Sequence, residues 1–343
     1  MSVTVGDQAP HRRVTIRDVA VAAGVSVATV SKVVNGRDGI AASTSARVMG
    51  VVDELGYETS LIASSMRKSR TQVIGVFVAE FEPFAQQLLQ GVSYALRDTQ
   101  YDILAYAGSV SAGDHAGWER RSLSRLGGTL VDGAIIVTPT VNLDETSVPI
   151  VAIDPHTGPT GPAVIDTDNF GGARMATEHL ISLGHRRVAH LRGRTDLVSA
   201  QRREDGFRAA HADAGLAVDD TLIFDGGYRA SLATRAIGEM LDRDDRPTAV
   251  FAANDMTALE VIRIATERGL RVPEDLSVIG FDDLPAAAGN RPGLTTIRQP
   301  LHEMGVSAVR LLLSMLDGGA TEHIRMPAEL VLRDTTRAPG ASA

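Results

Sequence analysis

VTIRDVAVAAGVSVATVSKVVNG, residues 14–36, decides the fold of the N-terminal part of the chain. Thr15 is placed to cap a first helix, whose apolar residues recur at helical spacing until they stop at Gly24. Ser26 can cap a second helix over 27–34. Two short helices joined by a turn that contains glycine predict a helix-turn-helix, and the second helix is sized for the DNA major groove.

The residues that face away from the small apolar core are the candidates for contact with DNA. Val27 and Ala28 begin the second helix and are small and apolar, which suits a thymine methyl group. Lys32 could reach guanine acceptors or a phosphate. The predicted DNA-binding residues of this segment are Thr15, Ile16, Ser26, Val27, Ala28, Thr29, Ser31, Lys32 and Asn35. The alternative is a helical hairpin with a solvated face.

A third helix is predicted over 44–55, with Gly56 as its terminator. Its inward-facing residues are expected to be Val48, Val51, Val52 and Leu55. Three helices in so short a segment make a marginal core.

Composition divides the chain into a basic start and an acidic remainder. The 343 residues carry a formal net charge of −8, yet residues 1–70 hold nine basic and six acidic side chains. This distribution fits a small nucleic-acid module attached to a body that avoids DNA. The chain has no cysteine, which excludes disulfides, thiolate metal sites and cysteine nucleophiles. It shows neither a signal peptide nor a membrane span, so we expect a cytoplasmic protein.

From residue 73 onward, short apolar runs alternate with helical stretches. The runs are 73–78, 102–107, 133–137, 149–153, 186–193, 221–224, 248–254 and 276–283, and the helical stretches are 85–98, 172–183, 199–214, 230–241 and 255–268. Alternation of this kind predicts an α/β fold with parallel sheets covered on both faces. The number of runs favours two doubly wound lobes, with ligands bound at the carboxyl ends of the strands.

Residues 14–36, ARVMGVVDELGY (46–57) and ASSMRKSRTQVIGV (63–76) resemble the lactose/galactose repressor (LacI/GalR) family. The resemblance continues through motifs such as VIDTDNFGG (164–172) and covers nearly the whole chain. It implies a helix-turn-helix domain over 14–58, a hinge over 59–71 and a two-lobed effector-binding and dimerisation domain over 72–335. The lobes would be of the periplasmic-binding-protein type, with chain crossings near 163–166, 292–297 and 326–330.

The resemblance also implies how the hinge works. In the family, an apolar side chain of the hinge wedges between base pairs in the minor groove. Met66 matches that position, where the family usually has leucine, and Arg67 follows as a phosphate contact or a solvated charge. Thr59-Ser60 replaces the usual Pro-Asn, and Ala41 replaces the usual serine cap of the third helix.

Four polar residues at strand ends or helix starts match family positions that contact the effector: Asp154, Arg203, Asn254 and Asp282. Two carboxylates, a guanidinium and an amide can hold vicinal hydroxyls, which predicts a polyol site. Plainer readings are that Asn254 and Asp282 cap loops or helices, that Arg203 pairs with Glu204 or Asp205, and that Asp154 belongs to a turn before Pro155.

Aromatic residues could stack on a sugar face. Phe84 and Phe281 are the predicted effector contacts, Phe81 is a further candidate, and Trp118 is expected to pack in the core. The purine-binding branch of the family has an aromatic residue where Pro155 stands, so a mono- or oligosaccharide is favoured over a nucleobase.

The sequence contains no phosphate loop, zinc-protease motif or nucleophile elbow, so we expect neither enzyme activity nor a cofactor or metal. The predicted function is a homodimeric transcriptional repressor that binds palindromic operator DNA under allosteric control by a small effector. An activator or dual regulator remains open on the same residues. A free solute-binding protein or an α/β enzyme fits less well, because the first requires an export signal and the second a catalytic constellation.

Overall fold

The structure is a computed structural model and describes residues 14–34, 37–57, 70–108, 117–128, 130–143, 146–157 and 163–340. The chain divides into two compact units, which meet in sequence between Thr71 and Gln72. Among the helices of the described chain, none combines the length and apolarity needed to cross a bilayer.

The first unit is helical and begins as the sequence predicts. Its helices are α1 (Ile16–Ala23), α2 (Val27–Val34) and α3 (Ala42–Leu55). Thr15 and Asp18 form a reciprocal capping box, in which the Thr15 backbone N–H donates to Asp18 Oδ2 at 2.8 Å. Gly24 ends α1 with a left-handed φ of 64°. Thr29 N–H donates to Ser26 Oγ at 3.1 Å, which confirms the predicted cap of α2.

The helical core is small. Val19, Val30 and Val48, one from each helix, are completely buried. Helix α3 begins two residues earlier than predicted, and Ala41 before it makes no side-chain cap. Of its four predicted inward-facing residues only Val48 is fully buried, while the other three are half-buried against the cluster. Three short helices leave one face of α3 too little partner surface to cover it.

The second unit alternates strands and helices. Its strands, within the described residues, are β1 (Val73–Val78), β2 (Asp102–Ala107), β3 (Gly133–Val137), β4 (Ile150–Ile153), β5 (Val164–Thr167), β6 (Val188–Arg192), β7 (Ile223–Asp225), β8 (Ala249–Ala252), β9 (Ser277–Asp282), β10 (Thr295–Arg298), β11 (His323–Met326) and β12 (Glu329–Val331). Its α-helices, in the same residues, are α4 (Pro83–Leu96), α5 (Trp118–Leu126), α6 (Asn169–Ser182), α7 (Val198–Asp213), α8 (Ala230–Leu241), α9 (Asp255–Glu267), α10 (Pro285–Gly289) and α11 (Leu301–Leu316).

These strands form two six-stranded sheets with the orders β11-β5-β4-β3-β1-β2 and β12-β10-β9-β8-β6-β7. Neighbouring strands are parallel except for β10 and β12, which are antiparallel. Strand order reverses at the same place in both sheets, so each lobe is doubly wound. The predicted fold class is confirmed, and each predicted apolar run contains or overlaps a strand.

The chain passes between the two lobes at three places in the described chain. It leaves the first sheet after β5 at Asp168, returns after β10 at Gln299 and Pro300, and passes again at Pro327, between β11 and β12. The first two crossings lie a few residues later than predicted. The predicted positions instead belong to β5 and β10, which extend the sheets before the chain crosses.

Candidate functional site

The residues of α2 that are predicted to read DNA differ in their exposure. Val27, Ala28 and Lys32 are exposed, and Val27 keeps 41% of its surface accessible. The hydroxyls of Ser26 and Thr29 lie 2.9 Å apart at the start of the helix, where they also serve the cap. The free surface at the start of α2 is therefore mainly apolar.

The remaining predicted DNA contacts have other surroundings. Thr15 is engaged in the capping box of α1, and Ile16 is half-buried against the helical core. Asn35, Met66 and Arg67 lie outside the described residues.

In the second unit, a cleft of about 940 Å³, its open mouth included, lies between the carboxyl ends of the two sheets. Residues from both lobes line it: Ala79, Glu80, Glu82, Phe84, Trp118, Thr138, Thr140, Asp154 and His156 from the first, and Arg194, Leu197, Ser199, Arg203, Gly227, Tyr228, Arg229, Asn254 and Asp282 from the second. The cleft brings together the four predicted polar residues and Phe84.

Arg203 is the fixed centre of the cleft floor. It is only 3% exposed, and its Nε donates to Asn169 Oδ1 at 2.8 Å while Nη1 donates to the carbonyl oxygen of Ala253. Its guanidinium lies 3.7 Å from the centre of the Phe281 ring, and Nη1 lies 3.8 Å from Asp282 Oδ1. These contacts orient one cation toward the cleft and leave it little rotational freedom.

The alternative in which Arg203 pairs with Glu204 or Asp205 on the surface is wrong. Glu204 instead forms ion pairs with Arg192 at 3.2 Å and with Arg208 at 2.8 Å, on the exposed side of α7. Adjacent helical residues point about 100° apart, so Arg203 and Glu204 face different surroundings.

Asp154 and Asp282 place two buried carboxyls beside this cation, at 6% and 4% exposure. Burial raises the pKa of Asp154, against the opposing effect of Arg203 and of a 3.3 Å hydrogen bond from Asn169 Nδ2. Burial likewise raises the pKa of Asp282 to about 7, although Arg203 and a 2.7 Å hydrogen bond from Gln299 Nε2 favour the charged form. Two buried carboxyls therefore lie beside one buried guanidinium on the cleft floor.

Asn254 has a structural role as well as a place in the lining. As the cap of α9, its Oδ1 accepts from the Thr257 backbone N–H at 3.0 Å, and its Nδ2 donates to the Tyr228 carbonyl at 2.9 Å. The capping alternative is therefore right for Asn254. Its cap fixes the amide at the cleft wall.

Backbone strain concentrates around the cleft. Within the described chain, six non-glycine residues have a positive φ, and four of them line the cleft: Thr138, Asp154, Tyr228 and Asp282. Left-handed conformations are costly for residues with a side chain and cluster at binding sites. The strain thus identifies the cleft independently of its chemistry.

The predictions for the four aromatic residues have different outcomes. Phe84, the second residue of α4, lines the cleft and is half-buried. Phe281 does not line it: the ring is completely buried in the second lobe beneath Arg203, so its predicted direct contact with the effector is corrected to a supporting one. Trp118 packs in the first lobe as expected, at 3% exposure, but also borders the cleft. Phe81 is half-exposed and outside the lining.

Sequence reasoning missed several lining residues, of which His156 and Tyr228 carry the clearest chemistry. His156 Nδ1 has no hydrogen-bond partner, and burial together with the charge of nearby Arg194 lowers the pKa of His156 to about 4. This ring nitrogen in the wall is a further polar contact for a ligand, as donor or acceptor according to the tautomer. His156 and Arg194 each follow the end of a strand by two or three residues, which is the signal that could have found them.

The described residues contain no group of His, Asp and Glu side chains arranged to hold a metal ion. Two buried histidines of the second lobe have structural partners. His190 stacks between Phe207 and Phe251, and His185 contacts Thr248 and Ser277 through its ring nitrogens.

A helix-turn-helix unit and a two-lobed binding unit together define a class of ligand-responsive DNA-binding regulators. The family model "Bacterial regulatory proteins, lacI family" matches residues 15–60, and "Periplasmic binding protein-like domain" matches residues 177–336. The chain belongs to the LacI family of bacterial regulatory proteins and is a DNA-binding transcription regulator.

Among its relatives, the HTH-type transcriptional regulator CelR of Thermobifida fusca is 35% identical, over 95% of this chain and 99% of the relative. The HTH-type transcriptional repressor PurR of Aliivibrio fischeri strain MJ11 is also 35% identical, over 94% of this chain and 98% of the relative.

Solved structures agree with this assignment. A complex of the transcriptional regulator CelR with cellobiose has 31% identity and a TM-score of 0.69, covering 94% of this chain and all of that one. The Lac repressor dimer bound to operator and the anti-inducer ONPF has 29% identity and a TM-score of 0.79, covering 95% of this chain and all of the other.

Proposed function

We propose that this protein is a transcriptional repressor that binds a palindromic operator as a homodimer and changes its operator affinity when a saccharide occupies the cleft. The observation that carries the proposal is the buried pair Asp154 and Asp282, set on facing strand ends around Arg203. The protein regulates rather than catalyses, and it acts in the cytoplasm, where its operator lies.

A saccharide fits the chemistry of the cleft. Carboxylates, a guanidinium and an amide form charge-assisted hydrogen bonds with neighbouring hydroxyls. Phe84 supplies apolar surface on the first-lobe side, where the face of a sugar ring can pack. The likeness to a regulator solved with cellobiose supports a mono- or oligosaccharide of this size.

Control of DNA binding follows from the two-lobed geometry. A ligand that touches Asp154 in the first lobe and Arg203 in the second favours one relative position of the lobes. In a dimer, a change in the relative position of the lobes alters the spacing of the two helix-turn-helix units. The spacing of the two half-sites on DNA is geometrically fixed, so operator affinity changes. Coupling of about 1–3 kcal/mol is typical for such systems. The Lac repressor dimer on its operator supports this arrangement.

The hinge contacts remain predictions. Met66 is proposed as the minor-groove wedge, with Arg67 beside it at the phosphates. Replacing Met66 by Gly should weaken specific operator binding while leaving ligand binding intact. Equal operator affinity of the variant and the wild type in fluorescence anisotropy would remove the wedge from the account.

The decisive experiment combines a ligand screen with an operator assay. Thermal unfolding is measured with mono- and oligosaccharides, with purines as the competing class. A saccharide present at about 100 times its Kd should stabilise the fold by about 2.7 kcal/mol, which raises the melting temperature by several degrees. The same saccharide should shift binding to a palindromic duplex, and a reporter gene then gives the sign of the response.

Two results would overturn the proposal. Stabilisation by purines alone would replace the saccharide by a nucleobase. Equal affinity for palindromic and random duplexes, with and without ligands, would remove the regulatory function.

A further inference from the structure

An ion pair joins the two lobes at the mouth of the cleft. Arg229 Nη2 lies 2.6 Å from Glu80 Oε1, and the two side chains are 50% and 53% exposed. Glu80 follows β1 in the first lobe, whereas Arg229 immediately precedes α8 in the second. Both residues line the cleft, so the pair lies where a ligand has to pass or be enclosed.

The acidic side of this contact extends beyond one residue. Glu82 lies two residues after Glu80 and also lines the cleft. Arg229 therefore faces a wall with two carboxylates. This is a contact between opposite charges on two different lobes, unlike the pairs within one helix such as Arg235 and Glu239.

A second contact bridges the lobes elsewhere along the cleft. The backbone N–H of Val198, the first residue of α7, donates to the carbonyl oxygen of His156 at 3.2 Å. His156 belongs to the first lobe and lines the cleft. The backbone bond is available to any sequence. On the cleft floor Asn169 Nδ2 of the second lobe also donates to Asp154 of the first, so the ion pair is the side-chain contact between the lobes at the mouth of the cleft.

We propose that Glu80 and Arg229 are positioning residues that hold the two lobes together over the cleft before a ligand binds. The proposal deepens the proposed function and rests on it only for the link between lobe closure and operator binding. A half-exposed pair shifts a two-state equilibrium modestly, by about two- to five-fold. Salt weakens such a pair, because mobile ions screen exposed charges.

The test measures lobe separation directly and uses the absence of cysteine in the chain. Asp98→Cys in the first lobe and Asp244→Cys in the second place spin labels at exposed positions remote from the ion pair in sequence. Pulsed electron paramagnetic resonance then gives the distance distribution in full-length protein without ligand or DNA.

In this labelled background, Glu80→Arg and Arg229→Glu should each raise the ratio of open to closed protein by about five-fold. The double exchange Glu80→Arg with Arg229→Glu should close the lobes more than either single variant, because opposite charges face each other again, but less than the wild type, because Glu82 then repels the new carboxylate. Arg235→Glu, which breaks an exposed pair within one helix, is the matched control and should change nothing. Sodium chloride at about 1 M should open the wild type but not the single variants.

Wild-type distributions in both single variants would overturn the proposal. So would a double exchange that stays as open as the single variants, because the effect would then not come from the pair. The distance measurements need neither a saccharide nor an operator, so this test does not depend on the success of the ligand screen.

Discussion

Replacement of Arg203 by Ala tests the cleft most directly, because that side chain serves both carboxyls. The variant removes the donors to Asn169 and to the Ala253 carbonyl and the cation beside Asp282. Breaking a buried charge pair costs about 3–5 kcal/mol of folding stability. Hydrogen bonds from a charged group are worth about 1.5–3 kcal/mol each, so loss of two predicts saccharide binding weakened about 100-fold or more.

Two measurements report separately on the cleft and on the helix-turn-helix unit. Isothermal titration with the saccharide found in the screen gives Kd, and fluorescence anisotropy with operator DNA reports the helix-turn-helix unit. Arg203→Ala should lose the ligand response and keep binding operator. Arg203→Lys keeps the charge but not the planar fork, and it provides a second variant if the alanine protein does not fold.

Arg208→Ala is the matched control, since it removes an arginine from the same helix. Arg208 pairs with Glu204 and Asp220, both at 2.8 Å, and is 40% exposed. Exposed pairs contribute at most about 1 kcal/mol, so this variant should behave like the wild type. A folded Arg203→Ala protein with unchanged saccharide Kd would refute the assignment of the cleft.

Three further predictions concern other parts of the molecule. Burial raises the pKa of Asp282 from 3.8 to about 7, so the native state binds an extra proton between these values and loses that contribution as pH rises through 7. The stability gain of Asp282→Asn over wild type in urea titrations should therefore grow from pH 5 to pH 8, and a constant difference would contradict the burial argument. Exposed Lys32 on α2 should contact phosphate or base, so Lys32→Ala should lower operator affinity. For a phosphate contact, the slope of log affinity against log salt concentration should also fall by about one. An unchanged affinity would show that Lys32 does not contact the operator. A Cβ at Gly91 would clash with the His302 carbonyl oxygen, so Gly91→Ala should separate α4 from α11 and destabilise the protein by about 1–3 kcal/mol in thermal unfolding. An unchanged melting temperature would show that the helices can shift freely.

The fold was predictable because its local signals agree with one another. Thr15 and Gly24 bound α1 through a cap and a left-handed turn that both depend on residue type. The strands are continuous apolar runs because both faces of a parallel sheet are covered. The crossings were less predictable, since β5 and β10 carry polar residues and continue the sheets into segments that resemble connections.

Part of the cleft was also predictable, because the carboxyl ends of parallel strands meet at one edge. Asp154 and Asp282 follow or end such strands and lie where this rule places them. The same geometry could have excluded Phe281, since successive strand residues point to opposite faces and Phe281 precedes Asp282. Tyr228 follows β7 by three residues and so has only the signal shared with His156 and Arg194. It lies in a loop with a left-handed φ of 64°, which apolar periodicity does not reveal.

The cleft divides its buried carboxyls between the two lobes. Asp154 belongs to the first lobe, while Arg203 and Asp282 belong to the second, and the protein gives the two carboxyls few donors. His156 Nδ1 adds another buried polar atom without a partner. Donors from a polyhydroxylated ligand would satisfy acceptors on both lobes only when the lobes are close, so its binding energy differs between the open and closed forms. That difference is what a ligand must have to shift a conformational equilibrium, and it arises here from the placement of buried acid on both sides of the cleft.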